Sequence, residues 1–563
     1  MKSKIVTIIV ALIVIAFQIY LISVQPINAI VQNTYDDTLM IEQADSILKG
    51  QWLGEYNCLT LVKGSFTPVF MAAANILNIP FLIAQDIFYI LACALLVYVL
   101  RKLIKNNIVR VIILSLLIFN PIIFSTELCR TYRDGIYLAL IIYLLAFTFG
   151  IYIERKEKIS KILWYYIGLG ITIGSIYLCR EEIVWIIPYL TVSLVITIYS
   201  IVKDKEVNEK AKKVLLYLVS IGIALIMLLA VMLLNYKYYK VFQLNQYWGR
   251  EFKEAYGALT RILPKEEIRK VPVTSDMLEK ADEISPKFRE LKEYFNRETY
   301  NWAACGDGYV GEIQGGYFHW ALMRAVEEKG YYKDAKTANE FYQELANEIN
   351  QACDEGKVEC LKNKRVSNVI IFDIQDLWKT FLKCGDTIKY QYRMVLVKVK
   401  ATPNWIETEE DKAKLEKVRE VTLTNEVTKD SYSSEIDKLR LNVIETIKNI
   451  ESRINPFIFY ESIVAFVLFI IVTIVNKQNK AEQFIVLIGL IGIYLCRIFI
   501  ITFTSVTMYT SAINVLYLTI TYVIQMIFSI LSNVFLGQEI IRYINERNKN
   551  GANRTNNTNT MLK

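Results

Sequence analysis

Two neighbouring carboxylates, Asp36 and Asp37, open a patterned stretch that starts at Tyr35 and runs to Lys49 and Gly50. Paired acids can accept a proton from an attacking hydroxyl or hold a cation. Met40, Ala44 and Ile47 follow at i, i+4 and i+7, and Gly50 ends the pattern, which predicts an amphipathic helix along a membrane interface. The same acids suit a helix N-terminus, where a carboxylate satisfies free N–H groups and meets the positive end of the dipole. A cap needs only one acid, so the second keeps a chemical role open. Behind them come Trp52, Tyr56 and the segment Leu61-Val62-Lys63-Gly64, which adds a lysine to the carboxylates.

Two shorter turns carry more charge. In Ser125 to Gly135, Arg130 and Arg133 lie beside Asp134, a set that suits a phosphate or forms an interfacial charge cluster. Arg180-Glu181-Glu182, followed by Trp185 and Pro188, places three successive charges between two apolar runs with almost no loop. Such charges face a polar cavity, pair with one another, or pair with Arg130 and Arg133. Arg497 and Asp86 lie deep in apolar runs, where snorkelling, mutual pairing and lining of a cavity are the alternatives.

The elements that must position these residues are membrane spans. The 563-residue chain is 54% hydrophobic, too apolar for an ordinary soluble protein. Ten apolar runs of spanning length lie near 5–24, 80–100, 108–125, 135–153, 162–179, 183–202, 213–236, 457–476, 484–504 and 511–536. The first lacks a convincing cleavage site after it and reads as a span rather than a signal peptide. Basic residues fall before the first run and in alternate loops, for example Arg101, Lys102 and Lys105, then Arg155, Lys156, Lys158 and Lys161, and finally Lys477 and Lys480. Ten spans with a cytoplasmic N-terminus put every such cluster inside. The expected protein is all-α and polytopic in the plasma membrane, with both termini cytoplasmic.

Its expected parts are a membrane region at 1–239 with a catalytic external loop at 25–79, and an extracellular, mostly helical domain at 240–456. Closing spans at 457–540 and a disordered cytoplasmic tail at 541–563 complete it. Within the domain, 283–296, 317–329, 335–352 and 410–452 read as helices and 366–399 is ambiguous between helix and strand, with Gly306-Asp307-Gly308 and Pro403 as punctuation. Cys353 and Cys360, flanking Asp354 to Lys357, are the most plausible disulfide among the external cysteines.

Several chemistries are excluded or disfavoured. The single histidine, His319, cannot supply a His-rich zinc site and makes a Ser-His-Asp triad improbable; on an aromatic-rich helix it reads as packing. There is no P-loop and no dinucleotide fingerprint. The net charge of +8 belongs to cytoplasmic anchoring, and no basic patch is interleaved with aromatics as a nucleic-acid platform requires. What remains is external carboxylates, Lys63 and arginines, a set suited to attack on an activated, phosphate-linked substrate.

This ordering resembles the integral-membrane GT-C glycosyltransferases, specifically the bacterial protein mannosyltransferase and aminoarabinose transferase-like group. Asp36-Asp37 stand where that family carries its acid pair. The stretch from Gly50 to Asn57, then Leu59 to Gly64, is similar to the following segment, whose lysine contacts donor phosphate. Arg130 to Asp134 resembles the second loop, and Arg180-Glu181-Glu182 with Trp185 and Pro188 a recurrent element of some members. The resemblance covers 1–240 and the last spans. It implies a GT-C-like fold, a polyprenyl-phosphate-linked sugar donor, and transfer to an extracytoplasmic glycan, lipid or protein.

In that frame Asp36 is the base and Asp37 assists it or holds a divalent cation. Lys63, Arg130, Arg133 and Arg497 hold the donor phosphate, while Asp134, Arg180, Glu181 and Glu182 shape the cavity or select the acceptor. The domain at 240–456 would recognise acceptor or partner. A metal stays open and no organic cofactor is expected. Two departures stand out: Asn514 to Thr519 lacks the Tyr-x-x-Pro element often found near the last spans, and the soluble domain is internal rather than C-terminal. A transporter or flippase of lipid-linked sugars would show repeated halves and broken helices. A non-catalytic assembly or sensor protein would tolerate substitution of the acid pair.

Overall fold

The computed structural model describes residues 2–295, 304–305, 309–393, 397–403, 406, 408–476 and 478–561. Gly306-Asp307-Gly308 and Lys477 lie outside the described residues. Helix α1 (Lys2–Ile22) is followed by α2 (Asp37–Leu48) and α3 (Phe66–Ile76) in the first long loop. Next come α4 (Phe81–Val99), α5 (Asn107–Ile118), α6 (Asp134–Ile153), α7 (Ile159–Cys179), α8 (Ile187–Lys203), α9 (Lys210–Leu215) and α10 (Tyr217–Tyr239). The inserted region holds α11 (Arg250–Leu259), α12 (Ser275–Ile284), α13 (Pro286–Arg289), α14 (Phe318–Glu328), α15 (Ala335–Asp354), α16 (Ile374–Arg393) and α17 (Glu409–Thr422). Helices α18 (Glu435–Val475), α19 (Ala481–Thr507) and α20 (Val515–Met561) close the chain, and two short antiparallel strands, β1 (Ala304–Cys305) and β2 (Tyr309–Ile313), lie between α13 and α14.

Among the described residues ten helical stretches are long and apolar enough to cross a bilayer, and each overlaps one of the apolar runs read from the sequence. This is an all-α polytopic membrane protein. Of the span formed by α6, 94% is buried inside the protein, against 11% for the span Lys210–Tyr239. A helix apolar on every side is central when protein surrounds it and peripheral when lipid does; α6 is the axis and α10 a lipid-facing staff. That places Asp134, the first residue of α6, at the centre of one end of the bundle.

The loops sort into two ends, as the charge pattern requires. At one end Arg101 pairs with Glu154 at 2.6 Å, Lys102 with Glu157 at 2.8 Å and Arg155 with Glu482 at 2.8 Å. At the other end the first loop is joined to the second: the Asn28 N–H donates to the Cys129 carbonyl at 2.8 Å, and the Thr126 N–H to that of Lys398 at 2.8 Å. Helix α2 is covered by α3 and α17, with Met40 and Ala44 of the expected stripe buried and Ile47 half-buried, so protein covers most of the stripe that the sequence suggested for an interface.

The inserted region departs from its sequence reading in detail. The helix expected at 283–296 is replaced by the end of α12, which starts earlier, the four-residue α13 and a 3-10 turn at Lys292–Tyr294. The one expected at 410–452 is broken between Thr422 and Glu435, and 366–399 holds the helix α16. Helix α18 is a single 41-residue helix with Pro456 inside it, so the expected boundary at 456/457 falls within one element. Cys353 and Cys360 are joined in a disulfide at the end of α15. Helix α20 continues to Met561, through the stretch from 541 read as a disordered tail.

Gly64 shows how tightly the first loop is set. A Cβ there would lie 2.0 Å from the Leu178 carbonyl oxygen at the end of α7. Gly64→Ala should therefore cost about 1–3 kcal/mol through overpacking. Gly222, mid-helix in α10 with nothing near its Cβ position, should gain about 0.5–1 kcal/mol on the same change. Thermal unfolding in detergent should show the first Tm falling and the second holding or rising.

Candidate active site

The turn that carries the acid pair is built locally. Asn33 accepts the N–H groups of Asp36 and Thr38 on its carbonyl, and the Asn33 Nδ2 donates to Asp36 Oδ2 at 2.9 Å. Asp36 occupies the N-cap position of α2, yet its side chain makes no capping hydrogen bond. It turns instead to the Lys63 ammonium, with which it forms an ion pair. Burial would push the Asp36 carboxyl up; the Lys63 charge and hydrogen bond, the Asn33 amide and the Arg133 charge outweigh it and hold the group well below the usual carboxylate range. Asp36 therefore stays ionised at neutral pH. The stability its pairing contributes is present above the ordinary carboxylate pKa and is lost only as pH falls through the depressed one.

Asp37 has a different task. Its side chain is 1% exposed and receives Arg130 Nε at 3.1 Å, Arg130 Nη2 and Thr131 Oγ1 at 3.1 Å. This two-pronged pair fastens the second loop to the start of α2. Arg130, read from the sequence as a phosphate ligand, is committed to Asp37. No group of three metal-ligating side chains occurs among the described residues, and each acid already faces a cation, a donor set that does not fit a divalent metal.

The remaining charges close around the pair. Arg133 meets Glu181 at 3.3 Å and Glu182 at 4.0 Å, and Arg180 meets Asp134 at 3.3 Å with both side chains almost fully buried. Arg497 reaches the Tyr517 carbonyl at 3.3 Å and lies over the Trp185 ring at 5.1 Å; it has no carboxylate within ion-pair distance among the described residues. Asp86 is elsewhere, accepting from Gln18 of α1 at 3.1 Å, so it does not pair with Arg497. The ten charged residues named from the sequence thus form one cluster, five cations against five carboxylates. Within it Arg133 Nε, Arg180 Nε, Arg497 Nε and Asp134 Oδ1 are buried with no hydrogen-bond partner among the described residues. Each such atom costs about 1–3 kcal/mol, and four in one place mark a site held ready for a polar ligand.

Aromatic residues separate the cations, and sequence reasoning missed most of them. The Tyr132 ring stands 4.9 Å from Lys63 Nζ, 5.3 Å from the Arg130 guanidinium and 5.5 Å from that of Arg133. Its place between two arginines was the available signal. Tyr517 faces Arg180 at 5.4 Å, although its segment lacks the expected motif. The inserted region roofs the pair: Trp320 of α14 packs on Tyr35 at 4.8 Å, Arg324 donates to the Tyr35 hydroxyl at 3.1 Å, and Glu327 accepts from the Cys58 N–H at 3.0 Å. Asn245 donates to Glu181 Oε1 at 3.2 Å. His319 lies between Tyr247 and Trp320, 4.6 Å from each ring. Burial, with the Lys63 charge added, pushes it down to about 3, so it is a neutral packing ring.

No protein-family model matches the chain, and no curated protein does. Solved structures that match include ArnT from Cupriavidus metallidurans in the apo state, with 10% identity over 96% of this chain and 77% of that one and a TM-score of 0.29. The same protein bound to undecaprenyl phosphate matches at 10% identity over 96% and 78%, with a TM-score of 0.30. At that level of similarity no residue role carries over.

The Asp37–Arg130 pair is separable from the chemistry by a double-mutant cycle. Asp37→Ala and Arg130→Ala should each destabilise the protein by about 3–5 kcal/mol, since each leaves a buried charge alone. The double variant should lose less than the sum of the two, measured by thermal unfolding in detergent.

Proposed function

We propose that the chain is a membrane glycosyltransferase of the GT-C kind that moves a sugar from a polyprenyl-phosphate carrier to an acceptor hydroxyl outside the cytoplasm. The observation that carries this reading is the Asp36–Lys63 ion pair at the mouth of a buried, charge-balanced cluster. The acid pair, Lys63 and the charged turns that resemble the family in sequence all belong to that cluster, at the end of the bundle opposite the basic anchoring loops. The charge pattern makes that end external.

The ion pair supplies a working cycle. In the resting protein Lys63 neutralises Asp36 and lowers its basicity. An arriving donor phosphate competes for the ammonium, with Arg133 and Arg497 as further cations. Once Lys63 holds the phosphate, Asp36 loses the partner that depressed it and its proton affinity rises. The acceptor hydroxyl oxygen then bonds to the anomeric carbon, the bond from that carbon to the phosphate oxygen breaks, and the hydroxyl proton goes to Asp36. Polyprenyl phosphate leaves with the bonding electrons, its charge held by the same cations. The Asp36 side chain is 31% exposed while that of Lys63 is 6% exposed, so the base can meet an acceptor from outside while the cation stays in a dry setting. Asp37 with Arg130 holds the turn, and the buried Arg180–Asp134 pair anchors the cluster to the start of α6.

Purified protein given radiolabelled polyprenyl-phosphate sugars tests the reading. Wild type should release sugar from at least one donor, and Asp36→Asn should lower the rate by about 10²–10⁴-fold in a protein that still folds, its Tm lowered by loss of the ion pair with the buried Lys63. Undiminished release by a folded Asp36→Asn protein removes the base. No release from any donor by a well-folded wild type removes the reaction.

A further inference from the structure

Helix α16 belongs to the inserted region in sequence but not in its surroundings. Its residues Thr380, Cys384, Thr387 and Gln391 recur at helical spacing and face the spans. Thr387 Oγ1 lies 2.8 Å from Thr502 Oγ1, and Gln391 receives the Tyr494 hydroxyl at 2.9 Å while donating to Gln525 at 3.1 Å. Thr502 and Tyr494 precede Thr507, the end of α19, by about 8 and about 20 Å along the helix axis. The contacts advance along α16 as they recede along α19, so the two helices run antiparallel. The C-terminal part of α16 is thus sunk beside a span, and polar side chains at such depth hydrogen-bond between helices as these do.

The opposite face of α16 carries Ile374, Trp378, Phe381 and Leu382, each more than 60% exposed. Phe372, just before α16, packs on Phe503, about one turn before the end of α19, at 5.0 Å, so the first turns of α16, with Trp378, lie near the level at which α19 ends. The stripe does not stop at α16. Tyr392 stacks on Phe459 at 5.0 Å and hydrogen-bonds Tyr460 at 2.9 Å, on the face of α18 where Phe457 and Tyr460 are themselves exposed within a candidate span. Lys379, Lys383 and Lys389 are exposed along the same helix, with stems long enough to bring their charges to headgroups.

We propose that α16 is a membrane-seated helix, its Ile374–Trp378–Phe381–Leu382 face lying in the lipid leaflet on the side that bears the candidate active site. The occupant is the bilayer itself. The face continues a lipid-facing surface, has the tryptophan at interface depth and the lysines beside it, and its length and charge explain why it does not read as a span. The inserted region is therefore stitched to the membrane between its helical core and α17, whether or not the chain transfers sugar.

Fluorescence in lipid nanodiscs tests this. The chain has eight tryptophans, so the Trp378 signal is taken as wild type minus Trp378→Phe, a change at an exposed site. In phosphatidylcholine discs with bromines near the glycerol end of the acyl chains, that difference signal should fall at least about twofold, the behaviour of a tryptophan at interface depth, and aqueous iodide should leave it unchanged. A second reporter, Phe381→Trp in the Trp378→Phe background, should be quenched by bromolipid as well. Quenching by iodide without quenching by bromolipid overturns the proposal in favour of water. Protection from both overturns it in favour of a second copy or another protein on this face.

Discussion

The contact between Lys63 and Asp36 is the constraint on which the rest of this molecule depends. A buried ammonium is tolerated only beside an anion, and here the anion is the residue proposed as the base. The structure meets both demands by enclosing five cations with five carboxylates. Four of the five cations sit beside a carboxylate, and such pairs hold only while the turns that bear them stay in place. The hydrogen bond from Asn28 to Cys129, the clasp of Asp37 on Arg130 and the close passage of Gly64 over Leu178 are the devices that hold three turns in register.

Burial gives these charges their strength and sets the architecture around them. Interactions among ions strengthen as water is removed, and two layers remove it here. Below lies α6, the central helix, whose first residue pairs with Arg180. Above lies α14, whose Trp320 and His319 roof Lys63. An inserted domain positioned far from the bundle could not do this, so its approach to Tyr35 and Cys58 bears on the proposed chemistry as well as on packing. An entering phosphate would find a neutral cluster with one buried guanidinium, that of Arg497, lacking a close carboxylate. To reach Lys63 as well, it would have to displace Asp36, whose side chain is 31% exposed.

Much of this was legible in the chain. Spans announce themselves because bilayer thickness fixes their length, and alternating basic loops sort their ends. The site residues were findable because charges at the ends of apolar runs demand a reason. What could not be read was pairing at long range. Arg130 looks like a phosphate ligand by type and becomes a clasp only because Asn28 aligns the second loop with α2. Asp86 and Arg497 share a depth but sit on helices that face different neighbours. Tyr132 and Trp320 are ordinary aromatics until the fold puts cations against them. Helix α16 hides because half of its surface is polar and turned to other helices, so its average composition matches that of a soluble element. At 456/457 polarity changes while the backbone of α18 continues, so a join read from composition falls inside one helix.

In the proposed cycle, donor phosphate and Asp36 compete for Lys63. The most direct measurement is the affinity of purified wild type and Asp36→Asn for a polyprenyl phosphate, by calorimetry in matched detergent. Removing the competing charge should make the variant bind tighter, by about tenfold for a difference of about 1.4 kcal/mol. Equal or weaker binding by a folded Asp36→Asn protein would contradict the exchange, and with it the account of how the base is released.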